Sequence, residues 1–103
     1  MPSADWPTVQ ANAVAAAKNT LGAAWAAVVH GATSQIEALV RTAQYIEKNQ
    51  GSMTRDEYRL LLDQQKMALQ NVLTGYSAIG YAAAQNTAAA VMQVLGNALA
   101  GLI

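Results

Sequence analysis

Several residue types are missing from this 103-residue chain or rare in it, and each absence excludes a class of protein. There is no cysteine, which excludes a disulfide framework and a metal site built on thiolates. Charged residues make up only 12% of the chain, against about 25% in a typical soluble protein. The formal net charge is zero, so no overall field attracts DNA, RNA or anionic lipid, and we expect no nucleic-acid partner.

The charged residues that do occur stop two thirds of the way along the chain. Lys66 is the last of them, and every residue from Met67 to Ile103 is uncharged. That segment is not a plain hydrophobic run, because glutamine, asparagine, threonine and serine are mixed with small and aliphatic residues. A water-exposed surface is normally rich in charged side chains. We therefore expect much of this segment to contact copies of the chain, another protein or lipid.

Apolar residues recur at helical spacing along nearly the whole chain, and no segment alternates with the period of a strand, so the predicted fold class is all-α. We predict one helical domain over 1–103, with a first helix at about 5–49, a turn at 49–53 and a second helix at about 54–102. The simplest architecture is an antiparallel hairpin of two long Ala-rich helices, each arm about 70 Å long, that forms oligomers.

The helix ends carry their own signals. Ser3 or Asp5 could cap the first helix, and Gly51 suits a left-handed position after its end. Thr54 and Glu57 have the spacing of a capping box, which predicts the start of the second helix.

A compact alternative to the hairpin remains open. Gly31 is followed by Ser34 and Glu37, which would serve as a helix stop and a new capping box. Residues 74–77, Thr-Gly-Tyr-Ser, form a second candidate break at about the same height on the other arm. The two sites predict either paired kinks near Gly31 and Gly75 or reversals that fold the chain into a four-helix bundle.

An extended hairpin encloses no core, so its outer faces must be polar unless something covers them. The first arm has the 4–3 spacing of a coiled coil, and both arms carry small residues four apart. We therefore predict self-association through the stem of the hairpin, at Ala23, Ala27, Gly31, Leu73, Tyr76, Gly80, Ala84, Ala88, Val91, Leu95 and Leu99. The charged tip is left for solvent or a partner, and its predicted residues are Glu37, Arg41, Arg55, Arg59 and Asp63.

No residue pattern points to catalysis, a cofactor or a metal, so we expect a protein that is not an enzyme. His30 is the only histidine and has no second histidine or cysteine with which to share a metal ion. No phosphate-binding loop, serine elbow, zinc spacing or calcium loop occurs, and no motif assigns the chain to a family. The leading hypothesis is a structural or assembly protein whose partner is itself.

Two other functions remain open. A membrane-active hairpin, acting in a pore, in lysis or in translocation, fits the uncharged stretch from Val72 to Ile103, although Gln85, Asn86 and Thr87 interrupt it. A helical adaptor would instead bind a partner helix in a groove. Lys18 interrupts the most apolar N-terminal stretch, so we expect no cleavable signal peptide. The cytoplasm is the default location, and export or membrane association stays open.

Overall fold

The computed structural model describes residues 5–100, and every regular element in that range is helical. The first helix, α1, spans Trp6–Leu21 and is followed by a short 3-10 turn at Gly22–Ala24. The other helices are α2 at Trp25–Lys48, α3 at Arg55–Thr74 and α4 at Tyr81–Leu99. The prediction of an all-α fold is therefore confirmed.

The helical stretch from Trp6 to Lys48 turns back on itself at Gly22. Gly22 has φ 57° and ψ −128°, and it is the only described residue with a positive φ, a conformation that glycine adopts at little cost. The reversal brings the two ends of the stretch together, because the indole Nε1 of Trp6 donates a hydrogen bond to Glu47 Oε1 at 3.1 Å. A straight helix would hold these two residues about 60 Å apart.

The four α-helices pack as an up-down-up-down bundle. Among the described residues, α1 and α3 each lie against α2 and α4, whereas α1 and α3 do not contact each other. One end of the bundle holds the turn at 49–54 and is called the charged end. The other holds Gly22 and the loop at 75–80 and is called the glycine end.

Side chains from all four helices build the core. Ala13 and Ala17 of α1 and Ala84 and Ala88 of α4 are completely buried. Because alanine is small, helices that meet through it approach closely, at the short end of the usual range of about 8–10 Å between axes. Larger aliphatic side chains fill the centre, including Ile36, Leu39, Leu69 and Leu73.

Side-chain caps begin two of the helices. Asp5 caps α1 through its carboxylate, which accepts hydrogen bonds from the Thr8 backbone N–H at 3.4 Å and from the Thr8 hydroxyl at 2.8 Å. The capping box predicted for α3 is present. Thr54 Oγ1 accepts from the Glu57 N–H at 3.2 Å, and Glu57 Oε1 accepts from the Thr54 N–H at 3.0 Å. Ser3 and the expected end of the second helix near residue 102 lie outside the described residues.

The extended hairpin is not confirmed, and a compact helical bundle fits instead. The Cα atoms extend 42 × 24 × 17 Å, so arms of about 70 Å do not occur in the described part of the chain. The second arm is interrupted between Thr74 and Tyr81, next to Gly75. In the first arm the reversal is at Gly22, whereas Gly31 lies inside α2. The expectation of a left-handed Gly51 is wrong, since the residue that ends α2 is Asn49 and Gly51 has no positive φ.

Candidate interaction surfaces

Most of the predicted self-interface lies inside the chain's own core. The residues concerned are each at most 1% exposed: Leu73, Ala84, Ala88, Val91, Leu95 and Leu99. Within the folded bundle these side chains contact the other helices of the same chain, so they are not accessible to a second copy. In the folded bundle these six residues therefore do not form an interface between copies of the chain. A bundle of four helices encloses the apolar stripe that a two-helix hairpin would leave open.

The remaining residues of the predicted self-interface lie at the glycine end. Ala23, Ala27 and Gly80 are exposed there, whereas Gly31 and Tyr76 are half-buried. The structure brings Gly31 and Tyr76 together within one chain, because a Cβ built on Gly31 would lie 2.5 Å from the Tyr76 hydroxyl oxygen. The missing side chain at Gly31 thus makes room for the tyrosine ring on α2.

The residues predicted for the charged tip lie on α2 and α3. Arg41, Arg55, Arg59 and Asp63 are exposed, and Glu37 is half-buried. They belong to the half of the bundle that carries nearly all the charge, since α4 has no charged residue and α1 has only Lys18.

The solvent-facing sides of α1 and α4 form a surface without charge, which we call the amide face. Its residues are all exposed: Thr8, Asn12, Ala15 and Asn19 on α1, and Ala82, Asn86, Ala89, Gln93 and Asn97 on α4. Within each helix they are three or four positions apart, so they share one side of that helix. Asn12 and Asn97 also line the same shallow groove between the two helices, so the two stripes meet in one surface.

A second surface lies on the other side of the bundle, where α2 and α3 leave an open groove of about 630 Å³ near the charged end. We call it the apolar groove. It is lined by Ala38, Arg41, Thr42, Tyr45, Met53, Glu57, Leu60 and Leu61. Tyr45 is 56% exposed and Leu60 is 59% exposed, so two large apolar side chains face solvent there.

The two charged residues of the groove differ in their hydrogen bonding. Glu57 belongs to the capping box, and the hydrogen bond from the Thr54 backbone N–H, helped by the Thr54 hydroxyl, holds the pKa of the Glu57 carboxyl below its usual value. The Arg41 guanidinium makes no hydrogen bond or ion pair in the described structure. The groove therefore offers one cation that has no partner among residues 5–100, which the structure describes.

The sequence contains a signal for this groove that its helical spacing alone does not reveal. Leu60, Leu61 and Leu62 are consecutive, and three consecutive helical residues cover about 200° of the helix surface. A helix that buries one face cannot bury all three side chains. In the structure Leu61 and Leu62 are half-buried and Leu60 is exposed.

The described residues contain no group of three histidine, cysteine, aspartate or glutamate side chains placed to hold a metal ion. His30 lies exposed on α2. None of the helices described between residues 5 and 100 has the combination of length and apolar character needed to cross a membrane. No model of a known family, no curated protein and no solved structure matches this chain. The two surfaces are therefore the features of the chain that bear on its function.

Proposed function

We propose that this chain is a structural or assembly protein without enzymatic activity, which associates with copies of itself through the amide face. One observation carries the proposal: two adjacent helices expose a continuous surface of alanine, asparagine, glutamine and threonine with no charged residue among them, bordered at Thr8 by the Asp5 carboxylate. A surface with about 25–35% charged residues favours solubility, because those charges keep molecules apart. A surface without them lacks that protection against association.

The area of the amide face is sufficient for a weak contact between two copies of the chain. From their lengths, α1 and α4 extend about 24 and 28 Å, and two helices side by side are about 20 Å wide. The planar footprint is then about 500 Å² for each copy. Two copies would bury roughly 1,000 Å² together, close to the lower limit for a specific protein–protein interface. We therefore expect an equilibrium that depends on concentration rather than a permanent complex.

The chemistry of the face also determines how the association responds to salt. Alanines such as Ala15 and Ala89 let two helices approach closely, and amides such as Gln93 both donate and accept hydrogen bonds across the contact. Because no ionic group takes part, the association should change little between low and high ionic strength.

Light scattering coupled to size exclusion, over a range of protein concentrations, tests the proposal through the absolute mass. We expect the mass to rise with concentration for the parent chain. Gln93→Glu should return it to that of a monomer, because a carboxylate would be placed in the contact. Gln64→Glu is the matched control, since Gln64 is also exposed but lies on α3 outside the amide face.

Ala84 and Ala88, although predicted for the self-interface, are not suitable sites for such a test, because both residues are completely buried within the monomer. A glutamate at either position would unfold the chain and so would not report on assembly. A monomer at all concentrations would refute self-association. Aggregation relieved only by detergent, with flotation on liposomes, would instead favour the membrane-active alternative.

A further inference from the structure

The apolar groove between α2 and α3 points to a second binding activity that is separate from self-association. We propose that it binds an amphipathic helical segment of a partner protein, and that this segment carries an acidic residue beside its apolar face. The groove lies on the side of the bundle opposite the amide face, since α2 and α3 form one layer and α1 and α4 the other.

Exposed apolar side chains are concentrated at this site. Among the described residues the large hydrophobic side chains that face solvent are Tyr45, Leu60, Met67 and Tyr81. Tyr45 and Leu60 line the groove, and Met67 continues it along α3, because it lies seven residues, or two helical turns, beyond Leu60. These side chains are grouped on one side of the bundle rather than scattered singly, which is the arrangement found at contacts with other molecules.

The size of the groove favours a short segment over a folded partner. Its α2 wall runs from Ala38 to Tyr45, which is about 10 Å, or two helical turns. With a width of about 20 Å, the footprint is roughly 200 Å², about a quarter of what each partner contributes to a standard protein–protein interface. Two parallel walls of that length fit the side of one further helix, which would place anchors at i, i+3, i+4 and i+7.

The charged residues of the groove then determine which helical segments bind most tightly. Arg41 stands on the α2 wall without a partner in the described structure, whereas Glu57 on the α3 wall is held by its capping box. A carboxylate on the bound helix would pair with Arg41, and a lysine at the same place would be repelled by it.

A synthetic peptide provides the probe. It is a capped helical peptide of about 14 residues, made of alanine and glutamine with leucines at i, i+3, i+4 and i+7 and one glutamate next to them. One control peptide has the same composition with its leucines spread around the helix, and a second has lysine in place of the glutamate. Titration into the isotopically labelled full chain, followed by amide chemical shifts, gives both the location and the dissociation constant.

We expect saturable shifts at the amides of Ala38, Thr42 and Leu61, and binding of the glutamate peptide about three to ten times tighter than that of the lysine peptide. Arg41→Glu should reverse that order. Tyr45→Ser should weaken binding by about tenfold or more. Tyr81→Ser is the matched control: Tyr81 is 64% exposed but lies at the start of α4, outside the groove, and its replacement should leave binding unchanged.

Four results would overturn the proposal. The first is the absence of saturable binding, and the second is equal binding of the peptide with scattered leucines. The third is that Tyr81→Ser weakens binding as much as Tyr45→Ser does. The fourth is a shift of the groove amides with protein concentration alone, which would make a second copy of the chain the occupant.

Discussion

Replacing Gly31 with alanine tests how the contact between α2 and the ring of Tyr76 shapes the glycine end. Two effects oppose each other. Inside a helix, alanine is more favourable than glycine by roughly 0.5–1 kcal/mol. Against this, the new Cβ would lie 2.5 Å from the Tyr76 hydroxyl oxygen, closer than two such atoms can approach, so the ring would have to move.

The magnitudes follow from the geometry. Turning the ring about 30° away from its preferred rotamer costs about 0.5–1.5 kcal/mol. Gly31→Ala alone should therefore change the free energy of unfolding by less than about 1 kcal/mol. In a Tyr76→Phe background the nearest remaining ring atom is Cζ, which is 3.4 Å from the new Cβ, an acceptable contact. There the alanine should stabilise the chain by its full helical preference, about 0.5–1 kcal/mol.

The assay is a double-mutant cycle from urea unfolding followed by far-UV circular dichroism. The Tyr76 hydroxyl makes no hydrogen bond in the described structure, so Tyr76→Phe removes little beyond the colliding atom. Measurements at two protein concentrations exclude a contribution from self-association, which would raise the apparent stability. We expect a coupling of about 0.5–1.5 kcal/mol. A coupling below about 0.3 kcal/mol, which is within additivity, would refute the reasoning.

Three further predictions follow from single contacts. The pKa of Glu57 is lowered in the folded state, so the ionised carboxylate stabilises the fold at pH values above its unfolded-state pKa of about 4.3. That stabilisation should be lost as the pH falls through the folded-state pKa. Urea titrations at a series of pH values should show this dependence for the parent chain and not for Glu57→Gln. Trp6→Phe removes the donor to Glu47 and should lower the free energy of unfolding, measured in urea, by about 0.5–1.5 kcal/mol or more. Ala88→Glu should abolish the cooperative thermal transition, because Ala88 is completely buried.

Two of these predictions have a matched control variant, and the third has a result that would contradict it. For the pH series the control is Asp56→Asn. Asp56 is an exposed carboxylate in the first turn of α3 but does not belong to the capping box, so this variant should keep the pH dependence of stability that Glu57 causes. For Trp6→Phe, the contrary result would be an unchanged midpoint of unfolding. For Ala88→Glu the control is Ala89→Glu, because the adjacent Ala89 is exposed on the amide face and should tolerate a carboxylate in the monomer.

Local signals in the sequence were enough to predict the helical fold class and the capping box at Thr54, because these depend on residues close together in the chain. The reversal at Gly22 could not be chosen from the sequence in the same way. Gly22 and Gly31 both interrupt a helical pattern, yet one has a positive φ and ends a helix while the other lies within a helix under a tyrosine ring. Gly22 and Gly31 differ in how they pack against other helices, and local sequence propensity carries no information about that packing.

The candidate surfaces were predictable only in part. The charge-free character of the last third of the chain is visible in the sequence, but the split between core and surface is not. Ala88 is completely buried and Ala89 is exposed, although the two are neighbours of identical type. Choosing between them requires the direction in which α4 faces the bundle, and that direction depends on where α1 and α3 lie.

The positions of the two surfaces also determine how they would act together. Because the amide face and the apolar groove lie on opposite layers of the bundle, occupation of one leaves the other open. An assembly built through α1 and α4 would therefore display one groove for each copy. Such an assembly would bind a partner with repeated helical segments more tightly than a monomer does, without any new contact, provided that the linkers between the segments span the grooves. The Gln93→Glu chain should accordingly bind a single peptide as tightly as the parent does. It should lose only the additional affinity that an assembly with several grooves has for a partner with repeated helical segments.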